Sequence, residues 1–323
     1  AEGRPARFLG GELLPHLAEV SRGVAGLLGA RPQDVLPMPS AAAGMNTLLR
    51  SWQRHFKPGP EQRVLTLSVT CRSTQRLLHR MSEESGFHVD EVQVDFPLEG
   101  EEVLLDALGP ALQPATALVV LDVLPASAPF VLPLAEAAAL CRERAPGALI
   151  VADAAQGLLS VPLRLSGPHA APVDALVASC GAWLCGPRGA AVLHVAPEQQ
   201  HWVEPLVVPG AVDADFLTGF YASGLADFSS WLALDEALAF WDLVGLDPAR
   251  IYCQYLALDA AEMLADAWGT GLGIPTELLG PMALVEVPPL PALPASGEGL
   301  AHEHARALQL SLLRRGIEVH AQA

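Results

Sequence analysis

The 323-residue chain is nearly devoid of lysine: of its 19 basic residues 18 are Arg and one, Lys57, is Lys. Chemistry that needs a lysine amine must use Lys57 or do without. Positive charge as a whole is scarce, since 19 Lys and Arg against 36 Asp and Glu leave a net charge of −17. That balance argues against nucleic acid as a partner, because phosphate binding needs a basic footprint. Charged residues make up 17% and hydrophobic ones 51%, which excludes a disordered chain and allows a large core. No apolar run reaches the 18 or so residues of a membrane span; Glu136, Arg142, Asp174 and Arg188 break the longest ones. No membrane partner is expected. Cys71, Cys141, Cys180, Cys185 and Cys253 form no C-x-x-C pair, which speaks against a zinc knuckle or disulfide framework and for a reducing, cytoplasmic compartment. The opening AEGRPARF has one acid, two Arg and no apolar h-region, unlike a signal peptide. Without an initiator Met the chain reads as a processed form or a fragment.

What is present is an alternation of short apolar runs with helical patterns, the signature of a helix-covered, parallel or mixed sheet. Strands are predicted at 35–39, 63–69, 88–94, 117–124, 148–154, 175–179 and 190–195. Apolar residues at three- and four-residue spacing predict helices at 41–56, 73–85 and 132–145, with Pro58, Pro60 and Gly86 as punctuation. Past residue 230 the pattern changes to longer helices, 231–245 and 249–268. A strand at 282–287, a Pro-rich loop, a helix at 300–316 and a strand start at IEVH (317–320) follow. The expected division is a large α/β domain over 1–230 and a smaller, truncated α/β domain over 231–323.

Two segments carry the polar residues of interest. IVADAAQGLLSVPL (150–163) sets Asp153 at the C-terminal end of an apolar strand, where open α/β sheets bind ligands. A carboxylate there is costly without a cationic or hydrogen-bonding partner, so it reads either as a cofactor partner or as the cap of the next turn. SCGAWLCGPRGAAVLHV (179–195) joins two strands through Gly186-Pro187-Arg188-Gly189, a common structural turn.

Together these segments resemble the class V aminotransferases, which are fold type I pyridoxal-phosphate enzymes, and most of all their isopenicillin N epimerase-like branch. Asp153 and Gln156 match that family's Val-Asp-x-Ala-His/Gln. Ser179, Trp183, Leu184, Pro187 and Gly189 match its Asn/Ser-x-His-Lys-Trp-Leu-x-x-Pro-x-Gly. Similarity runs in the family's order over roughly residues 7–320, including 7–52, 121–146 and 227–245. The resemblance implies a three-layer αβα large domain with a mixed, mostly parallel sheet, like aspartate aminotransferase, plus a smaller C-terminal α/β domain. It also implies a homodimer with pyridoxal phosphate pockets at the interface, and subunit contacts are expected at 205–210 and 218–231.

The departures fall on the family's cofactor positions. The lysine that forms a Schiff base with pyridoxal phosphate is replaced by Ala182, and the preceding His by Gly181. Asn-Ala-Thr-x-Gly at the phosphate helix becomes Ser40-Ala41-Ala42-Ala43-Gly44, which keeps backbone amides and loses a hydroxyl. Cys71 stands where an aromatic ring or His faces the cofactor, and Gly-Thr-Arg-Asp reads Gly224-Leu225-Ala226-Asp227. The vestigial cofactor set is therefore Asp153, Gln156, Ser179, Gly181, Ala182, Cys71, Ala41, Ala42, Ala43 and Leu225, with no catalytic residue and no metal ligand. Lys57 lies in a Pro- and Gly-marked loop and reads as surface.

The leading expectation is a pseudoenzyme: a homodimeric scaffold, or the non-catalytic partner of a lysine-bearing relative, in which covalent cofactor binding is lost. Two alternatives stand beside it. One is an active pyridoxal-phosphate-dependent epimerase, lyase or transaminase acting on an amino acid, seen as a fragment or altered chain; the other is a noncovalent binder of a phosphorylated metabolite. Elsewhere, GTGLGI (269–274) follows a helix and reads as a C-capping turn. His302 and His304 point to different sides of one helix, and Cys180 and Cys185 read as small buried apolar residues.

Overall fold

The computed structural model describes residues 3–208, 216–221, 227–288 and 298–321, with side chains of the last segment from residue 302. All seven apolar runs of the first two hundred residues are strands of one sheet: β1 (Val35–Met38), β2 (Arg63–Leu67), β3 (His88–Val92), β4 (Thr116–Asp122), β5 (Leu149–Ala154), β6 (Ala175–Ser179) and β7 (Ala191–Val195). Their order is β1-β7-β6-β5-β4-β2-β3. β7 runs antiparallel to both its neighbours and every other adjacent pair is parallel. β5 and β7 are buried at every residue, so their sequences are near-continuous apolar runs broken only by Asp153 and His194, and not alternating ones.

Helices cover both faces. α1 (Leu13–Leu28), α4 (Glu101–Ala111) and α5 (Leu134–Arg144) pack on one; α2 (Ala41–Phe56) and α3 (Arg72–Ser85) pack on the other. Val119, Leu121, Ile150 and Ala152 share a buried cluster with Leu17, Leu108 and Ala138. Val120, Val151 and Val177 share the opposite one with Leu48, Leu78 and Met81. That alternation is the strand period of two. The chain ends in α6 (Leu234–Val244), α7 (Leu246–Trp268) and α8 (Glu298–Leu313).

Local chemistry sets the helix limits. Ser40 is extended (φ −164°, ψ 158°) and its Oγ accepts from the Ala43 N–H at 3.1 Å, so it caps α2. α7 stops at Gly269, whose φ of 65° is the left-handed conformation glycine adopts most easily, so GTGLGI does begin with a helix cap. Pro248 sits in the first turn of α7, where a missing N–H leaves no bond unmade. α4 was not expected from the sequence, because Gly109 and Pro110 at its end masked the pattern.

The C-terminal expectations fare worse. Residues 282–287 form no strand: Val285 makes one isolated bridge to Leu272. Residues 317–320 form none either. A strand exists only through a partner that completes its ladder; residues 282–287 meet only the short 271–273 stretch, through Gly273 N–H to Leu284 O and Glu286 N–H to Gly271 O, and among the described residues 317–320 pair with no strand. The helix expected at 231–245 is interrupted at Ala233, which ends Ser229–Leu232 and precedes α6.

β1 and β2 run in the same direction as β4 and β5. The helices that follow them, α2 and α3, therefore start at the edge where β4 and β5 end, and the polar residues gather there.

Candidate functional site

Two carboxylates terminate neighbouring strands at this edge. Asp122 closes β4, Asp153 is the penultimate residue of β5, and the parallel register sets them opposite each other. They are in phase with Val120 and Val151 and so face α2 and α3. Both are buried, at 4% and 6% exposure, and among the described residues no cation acts on either. Asp153 accepts from the Ala155 N–H at 2.9 Å, so the capping-turn role is real. Asp122 Oδ1 accepts from the Cys71 N–H at 3.3 Å, while its Oδ2 is buried without a hydrogen-bond partner.

Burial, reinforced by the charge of Asp153, pushes the Asp122 carboxyl up to about 7 against hydrogen bonds from Thr70 and Cys71. Burial also raises Asp153, opposed by the Ala155 N–H. Adjacent buried carboxyls of this kind hold a proton between them near neutral pH and titrate as a pair. Asp122 escaped the sequence reading; its signal is VVLD (119–122), which repeats IVAD (150–153) at the same strand phase.

The loop after β6 carries the next group. Ser179 ends β6 and its Oγ accepts from the Gly181 N–H at 3.3 Å. Trp183 Nε1 donates to Gln156 Oε1 at 3.2 Å, which ties this loop to the turn after β5. Ala182 is exposed on the same loop. Cys180 is buried and its thiol is pushed up to about 12 by burial, so it supplies no thiolate. Cys185 departs from the expectation of a buried residue: it is exposed, with a left-handed φ of 59°, while Leu184 before it is the buried side chain.

Ala41, Ala42 and Ala43 form the first turn of α2. That turn is close to the sheet, because a Cβ on Gly44 would lie 3.1 Å from Val177 Cγ1, and Val177 is the register partner of Asp153. Cys71 caps the start of α3 and is exposed, its Sγ 3.1 Å from Ser73 Oγ. The structure thus brings Asp153, Gln156, Ser179, Gly181, Ala182, Cys71 and Ala41–Ala43 to one edge. Leu225 lies outside the described residues. Lys57 does not join them: it is the C-cap of the 16-residue helix α2, about 24 Å along its axis from the first turn at 1.5 Å per residue. Among the described residues no group of three or more His, Cys, Asp or Glu side chains is arranged to hold a metal ion. Among them no helix is long and apolar enough to cross a membrane.

A seven-stranded, mostly parallel sheet in this order, covered by helices and with its polar residues at the strand C-termini, is the scaffold of fold type I pyridoxal-phosphate enzymes. Within that class the chain belongs to the class-V aminotransferase family, whose description matches residues 4–276. It is 26% identical over 301 residues to the putative L-cysteine desulfhydrase 1 of Oryza sativa subsp. japonica, covering 88% of this chain and 61% of the relative. It is 27% identical over 304 residues to the isopenicillin N epimerase of Amycolatopsis lactamdurans, covering 88% and 74%. Among solved structures, the apo cysteine desulfurase of Thermococcus onnurineus NA1 superposes with a TM-score of 0.75 at 17% identity, over 94% of this chain and 72% of that one. The chain spans about three-fifths of the plant desulfhydrases it matches, 61% and 62% of their lengths.

The residues present divide on the family cofactor. The buried Asp153, with no cation beside it, and the unpartnered Asp122 Oδ2 suit a protonated ring nitrogen. The backbone at the start of α2 suits a phosphate only in part, since the Ala43 N–H is already taken by Ser40. The loop at 179–185 carries the methyl group of Ala182 and no amine, and the one lysine of this chain is at the other end of α2.

Proposed function

We propose that this chain is a class-V aminotransferase-like protein in which Ala182 occupies the position of the family's covalent lysine, a non-catalytic relative that retains the sheet-edge site. The observation that carries the reading is the placement of the only amine, Lys57, at the far end of α2 from Asp153. The cofactor, when held by a lysine, supplies an electron sink; here no residue at the edge can anchor it. What this chain's residues do is narrower. Asp153 offers a buried negative charge to a cationic ring, the Trp183–Gln156 bond fixes the two loops around it, and Asp122 holds the adjacent proton.

The reading includes self-association, or pairing with a lysine-bearing relative, through a surface containing the exposed Leu206, Val207 and Val208. Sedimentation of the purified chain tests it, and a monomer at all concentrations overturns that part. The chemical test is addition of pyridoxal phosphate, followed by borohydride reduction and peptide mass spectrometry. Saturable binding without a trapped adduct is the expected result, weakened about tenfold by Asp153→Asn. A stoichiometric reduced adduct on Lys57 accompanied by turnover of an amino acid overturns the proposal and restores the active-enzyme reading.

A further inference from the structure

Away from the sheet edge, a cleft of about 690 Å³ opens between the C-terminal turn of α1, the segment 162–164 and the joint between α6 and α7. The volume lies within the range of small-molecule sites. Its walls are fixed from several sides. Gly23 of α1 lets α6 approach so closely that a Cβ there would lie 2.5 Å from Leu238 Cδ1. The Leu165 N–H donates to Leu28 O at 2.8 Å, which holds the 162–164 segment against the end of α1. The cleft is therefore formed before any ligand arrives.

Its charges are graded by depth. Arg250 is the recessed group, with a side chain 20% exposed; it donates to Leu159 O at 2.6 Å and to Asp247 Oδ1 at 2.7 Å. Burial depresses its pKa and the positive charge of Arg164 depresses it further, with Asp247 opposing. Arg164 is exposed, lies across Gly29, and among the described residues has no hydrogen bond or ion pair from its guanidinium. The acidic residues of the lining are Asp242 and Asp247, both exposed, the Asp247 side chain at 84%. Asp247 already pairs with Arg250, so the cation of the lining whose guanidinium has no partner among the described residues is Arg164. Asp242 and Asp247 repel a polyanion more than a single charge. Leu27, Leu163 and Trp241 provide the apolar wall.

We propose that this cleft binds a small organic anion with an apolar body, its charge held by Arg164 beside the Asp247-paired Arg250 and its body against Leu27, Leu163 and Trp241. The site is also wired to the sheet edge. Trp241 Nε1 donates to Leu184 O at 2.9 Å, in the loop of Ala182, and Arg250 Nε holds the carbonyl of Leu159, a non-glycine residue kept at a left-handed φ of 68° in the turn after Gln156. A ligand on Arg250 and Trp241 thus stiffens both loops of the candidate site. The inference does not depend on the reading of Ala182.

Titration calorimetry of the full chain with benzoate, and separately with inorganic phosphate, tests it. Benzoate is expected to saturate in the millimolar range or below and phosphate to bind at least tenfold more weakly. Arg164→Gln, which removes no internal bond, is expected to cut benzoate affinity about tenfold or more. Hydrogen exchange is expected to slow at 158–165 and 182–186 when benzoate is bound. No saturation by benzoate, phosphate binding as tight as benzoate, affinity unchanged by Arg164→Gln, or protection confined to other segments each overturns the proposal. Weakened pyridoxal phosphate binding in Asp153→Asn with benzoate binding intact keeps the two sites distinguishable.

Discussion

The two ends of α2 make an instructive pair. At its start, Ser40 and the alanines at 41–43 lie over β6, one strand from a buried, uncompensated Asp153. At its end, Lys57 caps the helix in a left-handed conformation (φ 47°), about 24 Å away by helix rise. One end has negative charge and uncommitted backbone donors but no amine; the other has the amine and no site. Proximity is what turns an amine into a catalytic group; a lysine is present in this chain, and the fold keeps it a helix length from the alanines at 41–43.

The largest expected effect comes from moving the amine. Ala182→Lys should convert pyridoxal phosphate binding from an adduct-free state to a stoichiometric, borohydride-trapped one, read by peptide mass spectrometry; continued absence of the adduct breaks the comparison. Next is Gly186→Ala in the same loop. A Cβ there would lie 2.3 Å from Leu234 Cδ2 and 2.8 Å from the Cys180 carbonyl oxygen, so denaturant unfolding should show a loss of about 2–3 kcal/mol.

Asp122→Asn sharpens the electrostatic half. The folded-state pKa of Asp122 is raised from 3.8 to about 7, so its contribution to stability is fully present below pH 3.8 and is lost as pH rises toward 7. The variant should therefore match the parent near pH 4 and exceed it increasingly as pH rises toward 8, seen as a higher Tm that grows with pH. A difference that shrinks with pH contradicts the pair. Ser40→Ala removes the cap and should cost about 1 kcal/mol. Smallest, Lys57→Gly relieves the left-handed strain and should gain about 1 kcal/mol or less, with pyridoxal phosphate affinity unchanged; a fall in that affinity would return Lys57 to the site.

Much of this was legible before folding. All seven strands matched within two residues at both ends, because burial in the sheet leaves plain apolar runs; β2, β3 and β4 each end two residues sooner than expected, at Leu67, Val92 and Asp122. The helix from Ala41 to Phe56 was readable from Ser40, the apolar spacing and the Pro58 and Pro60 beyond it. The site residues from Asp153 to Ala182 were readable through the motif resemblance. Asp122 was not, because its importance lies in its neighbour: nothing near residue 122 says that β5, 31 residues on, sets Asp153 opposite it. The C-terminal segments failed for the same reason. MALVEV has the composition of a strand, and a strand needs a partner that local composition does not name.

By itself, then, the sequence determined the elements, the helix caps, the acidic balance and the scarcity of lysine, since periodicity, turn chemistry and composition are local or additive properties. Only the tertiary structure decided that two carboxylates share one edge, that Lys57 stands a helix length from them, and that Arg250 reaches the carbonyl of Leu159 across 91 residues. Those facts follow from strand order and packing, where side chains far apart in the chain exclude water together, and no window of sequence contains both partners.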